Sequence, residues 1–127
     1  MNYSMNENGF TGKLPFGEIE ISGNEQYGFR PYQLLVSSLA VCSGGVMRKV
    51  LEKMRMPADD IQIEVKEVVR VEDEADRVSK VHIHFTLQGK IEESKMERVM
   101  ELTRKNCSMV QSVKDSIEII ETYELSR

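Results

Sequence analysis

The chain contains no tryptophan, three prolines and only two cysteines among its 127 residues. Two cysteines are too few for the disulfide framework that stabilises small secreted domains. Basic residues are in the minority, 17 against 21 acidic ones, so the net charge repels phosphate backbones and we expect no nucleic-acid partner. The 40% hydrophobic and 30% charged residues are typical of a globular domain. A chain of this length builds one core, so we predict one domain over residues 1–127, with strands and a loop in residues 1–30 and a cysteine-bearing core in residues 31–127.

The sequence also lacks the features of secreted and membrane proteins. No basic segment followed by an apolar one opens the chain, as it does in a secretory signal. The longest apolar run, residues 34–42, is interrupted by two serines and is about half of the ~20 residues that a membrane helix needs. We therefore expect a cytoplasmic protein with no membrane partner. A structural disulfide is disfavoured in that reducing compartment, so Cys42 and Cys107 are either two unrelated buried thiols or a redox couple that folding brings together.

An uncharged segment, residues 31–47, carries apolar side chains at three- and four-residue steps. This spacing predicts a helix that begins at Pro31 and ends at or just before Met56, because Pro57 disfavours helical geometry in the residue before it. The first two thirds of the helix are apolar or small on every side, so the helix has to be covered all round. Its small residues are Ser37, Ser38, Ala40, Ser43, Gly44 and Gly45. They favour close approach by a second helix, and we predict that a second copy of the chain supplies it in a homodimer.

Alternating apolar and polar residues predict strands in the rest of the chain. The predicted strands cover residues 10–16, 17–22, 61–71, 81–87 and 116–124, with an acidic hairpin turn at residues 72–76. Residues 92–105 read as a helix with acidic side chains in its first turn and basic ones in its last, as the helix dipole favours. The pattern breaks at residues 106–108, and a short helix follows to about Lys114. This order of strands and helices is typical of the α+β class.

The two cysteines are the candidate reactive groups. A cysteine on an apolar helix face is by default a small core residue. Cys42 lies two residues before Gly44 and Gly45, however, and two adjacent glycines cost a helix ~2 kcal/mol unless bare backbone serves close packing or ligand access. Cys107 lies near the amino end of the last short helix, where amide dipoles stabilise a thiolate, and this placement suits a resolving thiol.

The two histidines do not predict a metal site. His82 and His84 alternate along one strand and share a face, which is the spacing that two imidazole ligands need. No further histidine or cysteine completes a site, so we interpret this face as solvated or as part of an interface. The acidic turn at residues 72–76 lacks the spaced ligands and the glycine of a calcium loop. We therefore expect no metal.

Two sequence motifs surround the cysteines. Residues 30–42 read RPYQLLVSSLAVC, and residues 105–110 read KNCSMV ahead of the final strand. Together with the strand IHFTLQG at residues 83–89 and the helix after it, they resemble the OsmC/Ohr family over about residues 28–125. The similarity is greatest to the shorter OsmC-like subgroup, sometimes called YhfA-like. It implies an OsmC-like α+β fold in which sheets wrap around a long central helix, an intertwined homodimer, and two active sites at the subunit interface.

The resemblance also implies an activity, the thiol-dependent reduction of organic hydroperoxides in defence against oxidative stress. Cys42 would attack the peroxide and become a sulfenic acid, and Cys107 would condense with it to a disulfide. An external dithiol reductant would restore both thiols, with no cofactor. The apolar helix suits a small apolar alkyl hydroperoxide as substrate.

The chain departs from the family pattern at the start of the helix. Family peroxidases carry a glutamate ten residues before the reactive cysteine, where this chain has Tyr32 beside the neutral Gln33. They use an arginine from the amino-terminal strands to lower the thiol pKa, and Lys13 and Arg30 are the only basic residues in that part of this chain. We predict that Arg30, Tyr32 and Gln33 line the site, and that Cys42 is more buried than its partner cysteine. The alternative is a non-enzymatic dimeric module that binds a small apolar ligand or senses oxidants. A cation near Cys42 would favour the enzyme, and an all-apolar surround the binding module.

Overall fold

The computed structural model describes residues 1–126, which form six strands and three helices in a mixed α+β order. The elements are β1 (Asn2–Met5), β2 (Phe10–Lys13), β3 (Glu18–Ile21), α1 (Pro31–Lys53), β4 (Asp60–Val71), β5 (Arg77–Gln88), α2 (Met96–Asn106), α3 (Ser108–Val113) and β6 (Glu118–Ser126). The chain divides into two compact units, Met1–Ser37 and the residues from Ser38 onward. The division falls inside α1, and the prediction of a single domain with a boundary after residue 30 stays a prediction.

The first unit contains a three-stranded antiparallel sheet in the order β1-β2-β3. The predicted strands at residues 10–16 and 17–22 are confirmed, although β2 ends at Lys13. It ends there because the backbones of Leu14 and Gly17 exchange two hydrogen bonds and close a turn. The sequence did not predict β1, since its four residues are all exposed and show no alternation of burial.

The second unit contains the sheet β4-β5-β6. Strands β4 and β5 form the predicted antiparallel hairpin, and positive φ angles at Ala75 and Asp76 close its acidic turn. Strand β6 runs parallel to β5, with Ile83 opposite Glu121, so a crossover has to connect the two strands. Helices α2 and α3 provide that crossover, and the junction between them carries Cys107.

The burial of β5 follows the predicted two-residue period. The side chains of Val81, Ile83, Phe85 and Leu87 are at most 1% exposed, and the intervening residues are less buried. This alternation confirms which face of the hairpin forms the core of the second unit.

Helix α1 spans 23 residues and ends at Lys53, slightly earlier than predicted. A Cβ atom built at Gly44 would lie 2.5 Å from the end of the Ile63 side chain, so this glycine allows α1 to pack closely on β4. Gly45 faces open space, and Val41 on the same side of the helix is 67% exposed. The assignment of all six small residues to a second helix was therefore wrong for Gly44, and also for Ser43 and Ala40, which are buried within the chain.

By length and apolar composition, α1 would be able to cross a membrane. The interrupted run at residues 34–42 did not predict this, because further apolar residues, Val46, Met47, Val50 and Leu51, follow it on the same helix. The core helix of a soluble protein meets the same criterion, so the property carries no argument for a membrane.

Candidate active site

The fold of the second unit brings the two cysteines into contact. Cys42 lies in the middle of α1, and Cys107 is the extended residue that separates α2 from α3. Both thiols are free, and they are close enough to share a hydrogen bond. The structure brings the two thiols into contact, as the second interpretation requires, and their action as a redox couple stays a prediction.

The break between α2 and α3 places Cys107. Helix α2 ends at Asn106, whose side-chain amide donates to the Leu102 carbonyl at 2.9 Å, and the Gln111 side chain donates to the Arg104 carbonyl at 3.1 Å. These bonds fix the turn at the position where the sequence predicted it. Cys107 is fully buried, whereas Cys42 is partly exposed. The expectation that Cys42 is the more buried thiol was wrong, because the turn directs Cys107 inward, where the Ser43 hydroxyl donates to its sulfur at 3.4 Å.

Four neutral donors act on the Cys42 sulfur. Burial alone would raise the pKa of Cys42, but hydrogen bonds from the Met109 amide, the Cys107 thiol and the hydroxyl and amide of Ser108 together lower it. The Ser108 hydroxyl lies 3.8 Å from the sulfur. The sequence assigned the amides of the last short helix to Cys107; the Val110 amide does act there, whereas those of Ser108 and Met109 are directed at Cys42. Among the described residues from Ser38 onward, no cation contributes to this lowering.

The pKa of Cys107 moves in the opposite direction. Burial raises it, and the charge and hydrogen bond of the neighbouring Cys42 raise it further. The Ser43 hydroxyl and the Val110 amide offset only part of this effect. Cys42 is therefore the thiol that ionises first, and Cys107 keeps its proton while Cys42 is a thiolate.

We expect the two thiols to react with iodoacetamide at different pH values. The midpoint of alkylation at Cys42 should lie below the value of about 8.5 that is usual for a free thiol, and the midpoint at Cys107 should lie above it. Peptide mass spectrometry of samples labelled between pH 5 and 10 measures both midpoints. A midpoint reports the ionisation of the thiol, whereas burial of the thiol slows its labelling at every pH. In Cys42→Ser the midpoint of Cys107 should fall, because the neighbouring thiolate is gone. Equal midpoints, or a lower midpoint at Cys107, would contradict the assignment.

A third ionisable group, Glu121 on β6, lies next to the cysteines and was missed by the sequence analysis. Its side chain is 5% exposed, and Nη1 of Arg104 lies 3.9 Å from its Oε1. Neither carboxylate oxygen has a hydrogen-bond partner of standard geometry. Burial raises the pKa of Glu121, and the nearby Ser43 hydroxyl and the Arg104 charge lower it in part. The Ser43 hydroxyl thus lies against the carboxylate without completing a hydrogen bond of standard geometry. The alternation that buries Ile119 also places Glu121 on the inner face, and this signal was present in the sequence.

The residues predicted to line the site at the start of α1 belong to the first unit. The Arg30 guanidinium lies over the ring of Tyr32, 4.9 Å from its centroid. The backbone amide of Arg30 donates to Oε1 of Gln33 at 3.1 Å. An aromatic ring thus packs against this arginine. That Arg30, Tyr32 and Gln33 serve Cys42 stays a prediction.

His82 and His84 are bonded within the sheet of the second unit. A nitrogen of each ring lies within 2.8 Å of the Thr122 hydroxyl, and the other nitrogen of His84 lies 3.0 Å from Glu124. Across residues 1–126 there is no group of three or more side chains that could hold a metal ion. The pair therefore ties β5 to β6.

Comparisons with known proteins identify the family and the fold. A family model described as OsmC-like protein matches residues 22–122. A hypothetical protein from Aquifex aeolicus is 27% identical over 98% of this chain and 93% of its own, with a TM-score of 0.86. An OsmC-like protein from Mycoplasma pneumoniae shares the fold at 16% identity, with coverages of 99% and 95% and a TM-score of 0.87. An organic hydroperoxide resistance protein from Elizabethkingia anophelis shares it at 14% identity, with coverages of 98% and 94% and a TM-score of 0.79. No curated protein matches the chain by sequence.

Proposed function

The chain belongs to the OsmC-like protein family, and we propose that it is a thiol-dependent peroxidase that reduces organic hydroperoxides. The observation that carries the proposal is the contact between two free thiols, of which Cys42 has a lowered pKa and Cys107 a raised one. A nucleophile that is ionised beside a thiol that keeps its proton is the arrangement that a two-cysteine peroxidase needs. The shared fold with organic hydroperoxide resistance proteins supports the same substrate class and a role in oxidative-stress defence.

The reaction proceeds in three steps. The Cys42 thiolate attacks the terminal peroxide oxygen, the O–O bond breaks, and the alcohol leaves with a proton as Cys42 becomes a sulfenic acid. The Cys107 thiol then attacks the Cys42 sulfur, an S–S bond forms, and the hydroxyl leaves as water. An external dithiol reduces this disulfide by thiol exchange, becomes a disulfide itself and returns both cysteines to thiols.

An apolar side chain beside Cys42 favours an alkyl hydroperoxide over hydrogen peroxide. Met109, whose amide contacts the Cys42 sulfur, exposes 37% of its surface. An alkyl chain that covers this side chain gains about 0.8 kcal/mol for each buried CH₂.

Peroxide consumption with a dithiol as reductant tests the proposed function. We expect an alkyl hydroperoxide of four or more carbons to be consumed about tenfold faster than hydrogen peroxide, since two buried methylenes exceed the 1.4 kcal/mol of a tenfold rate difference. A preference for hydrogen peroxide would overturn the substrate class. The absence of consumption above the background with both peroxides would overturn the peroxidase itself.

The neutral surround of Cys42 favours one alternative, an oxidant sensor. Only uncharged donors lower the pKa of this thiol among the described residues of the second unit, so the pKa is lowered without the cation that the family peroxidases use. A sensor would be oxidised once by each equivalent of peroxide and would not turn over with a dithiol. The same assay distinguishes the two functions by the number of turnovers.

We also propose that the protein is a homodimer in which α1 packs against its copy. Val41 and Gly45 lie four residues apart on one side of the helix, where Val41 is exposed and nothing lies within 4 Å of a Cβ built at Gly45. An apolar side chain beside bare backbone is typical of a surface that a second helix covers.

Val41→Glu is expected to dissociate this dimer, because a carboxylate would be buried opposite its own copy. Light scattering at micromolar concentration should give about twice 14.6 kDa for the wild type and about 14.6 kDa for Val41→Glu. Arg98→Gln changes the net charge equally on an exposed part of α2 and should remain dimeric. A folded wild-type monomer would contradict the dimer proposal.

A further inference from the structure

One hydroxyl, that of Ser43, separates the buried carboxylate of Glu121 from the thiol of Cys107, the proposed resolving cysteine. Ser43 is fully buried, and its hydroxyl donates to the Cys107 sulfur at 3.4 Å. The same hydroxyl lies against the carboxylate of Glu121, which has no hydrogen-bond partner of its own. These three side chains come from α1, from the α2–α3 junction and from β6, so the tertiary fold alone assembles them.

We propose that Glu121, acting through the Ser43 hydroxyl, takes up the proton of the Cys107 thiol when Cys107 attacks oxidised Cys42. This inference rests on the proposed peroxidase function and deepens it. Ser43 touches the reacting sulfur, and Glu121 is a positioning residue that acts through Ser43. Resolution needs such a partner, because Cys107 is buried and keeps its proton while Cys42 reacts with the peroxide.

The proton transfer requires only a rotation of the Ser43 hydroxyl. When this hydroxyl turns toward Glu121, its oxygen accepts from the Cys107 thiol and its hydrogen is donated to the carboxylate. The thiol proton then passes to the Ser43 oxygen as the Ser43 proton passes to Glu121, which leaves a thiolate at Cys107 and a neutral carboxyl at Glu121. The thiolate forms the S–S bond, and the hydroxide that leaves Cys42 takes a proton from solvent. Glu121 later returns its proton to solvent, so the step conserves protons.

Glu121 lines a surface groove, through which we expect its buried carboxylate to exchange protons with water. Glu121 and Tyr123 on β6 line this groove of about 620 Å³ together with Glu93 and Glu97. The Tyr123 hydroxyl donates to Glu93 at 2.9 Å, so it is not a hydrogen-bond donor to Glu121. The acidic side chains that line the groove attract protons and repel anions.

The charges around Glu121 keep it available for a proton. Arg104 is the cation that faces it, but Nη1 of Arg104 donates to the Ile119 carbonyl at 2.7 Å and stays 3.9 Å from the carboxylate. The other charged side chains along the groove, Glu93 and Glu97, are acidic, so neither is a second cation for Glu121. Burial and the missing hydrogen bonds bring the pKa of Glu121 closer to neutral pH, where proton exchange with a thiol is efficient.

Stability gives no reason to keep this carboxylate. A buried acceptor without a hydrogen-bond partner destabilises the folded state, and a glutamine of the same shape avoids burying the charge. When folding raises the pKa of a carboxyl, the folded state of the protein loses stability as the pH rises from the unfolded pKa of that group through its folded pKa. A side chain that opposes folding at neutral pH and lies one hydroxyl from a reactive thiol is better explained by function.

Glu121→Gln tests the proposal in a single-turnover experiment with one equivalent of alkyl hydroperoxide. Dimedone trapping measures formation of the Cys42 sulfenic acid, and acid quenching followed by mass spectrometry measures formation of the disulfide. In Glu121→Gln we expect the first step within twofold of the wild type and disulfide formation about a hundredfold slower at pH 7, the usual contribution of a proton acceptor. The deficit should shrink as the pH rises and Cys107 ionises without help. Glu118→Gln, at an exposed position of the same strand, should match the wild type.

Two further measurements separate this role from a structural one. The melting temperature of Glu121→Gln at pH 8 should equal or exceed that of the wild type, whereas a structural role lowers it and slows both chemical steps. Ser43→Ala should slow disulfide formation equally, and the double variant should lose no more than either single one. A wild-type disulfide rate with an unchanged pH profile in both variants would overturn the inference and leave the peroxidase standing. A wild type that forms a sulfenic acid and no disulfide would overturn the two-cysteine mechanism itself.

Discussion

Cys42→Ser is expected to reduce the consumption of alkyl hydroperoxide to the rate measured without protein. Serine keeps nearly the same shape, but its hydroxyl is not ionised at neutral pH and is a weak nucleophile toward peroxide oxygen. The four hydrogen bonds that lower the pKa of Cys42 cannot ionise a hydroxyl at neutral pH, because the pKa of an alcohol is far higher than that of a thiol. Consumption of peroxide per mole of protein, followed with a dithiol in excess, measures the loss.

Cys107→Ser provides the matched control for this loss. Its Cys42 thiolate remains, so the variant should still consume one equivalent of peroxide and accumulate a sulfenic acid that dimedone labels. If Cys42→Ser consumes peroxide as fast as the wild type, then Cys42 is not the nucleophile and the peroxidase assignment fails.

Phe85→Ala is expected to have the largest effect on stability, about 3–5 kcal/mol. Phe85 is fully buried on β5, and its ring approaches within 4.0 Å of the Cβ position of Gly44, so the truncation leaves a cavity between the sheet and α1. Urea denaturation followed by circular dichroism measures the change in the free energy of unfolding.

The neighbouring variant Thr86→Ala shows whether this effect belongs to the core face. Thr86 points to the opposite face of the same strand, where its hydroxyl donates to Glu124 at 3.3 Å. We expect a loss below about 1 kcal/mol, the net contribution of one exposed hydrogen bond. Equal losses at the two positions would mean that the two-residue alternation does not separate the core face from the outer face.

The elements of the fold whose apolar residues recur with a regular period in the sequence were predictable. The alternation along residues 81–87 identified β5 and its buried face, and the uncharged residues 31–47 identified α1, because local periodicity and burial follow from the same packing. Strand β1 has no buried side chain and therefore no such signal, since backbone pairing with β2 holds it in place. The roles of the small residues on α1 could not be assigned either, because spacing alone does not say which of two packing partners a glycine meets.

The candidate site was predictable only in part. The two cysteines stood out by their motifs, and their contact follows from the crossover that returns β6 beside β5. The groups that set their pKa values are backbone amides and the Ser43 hydroxyl, which carry no distinctive sequence pattern. Glu121 alternates with Ile119 on the inner face of the strand, but the sequence does not show that Ser43 of α1 and Arg104 of α2 lie beside its carboxylate.

The measurement that most directly tests the account is the oxidation state of the two cysteines after one equivalent of alkyl hydroperoxide. We predict that the oxidised protein loses two hydrogens, resists alkylation, and yields one peptide pair in which Cys42 is linked to Cys107 within a single chain. Dithiol treatment should return both thiols to full alkylation. If the peroxide is consumed and both cysteines remain freely alkylated, then the two thiols do not form a redox couple and the account is wrong.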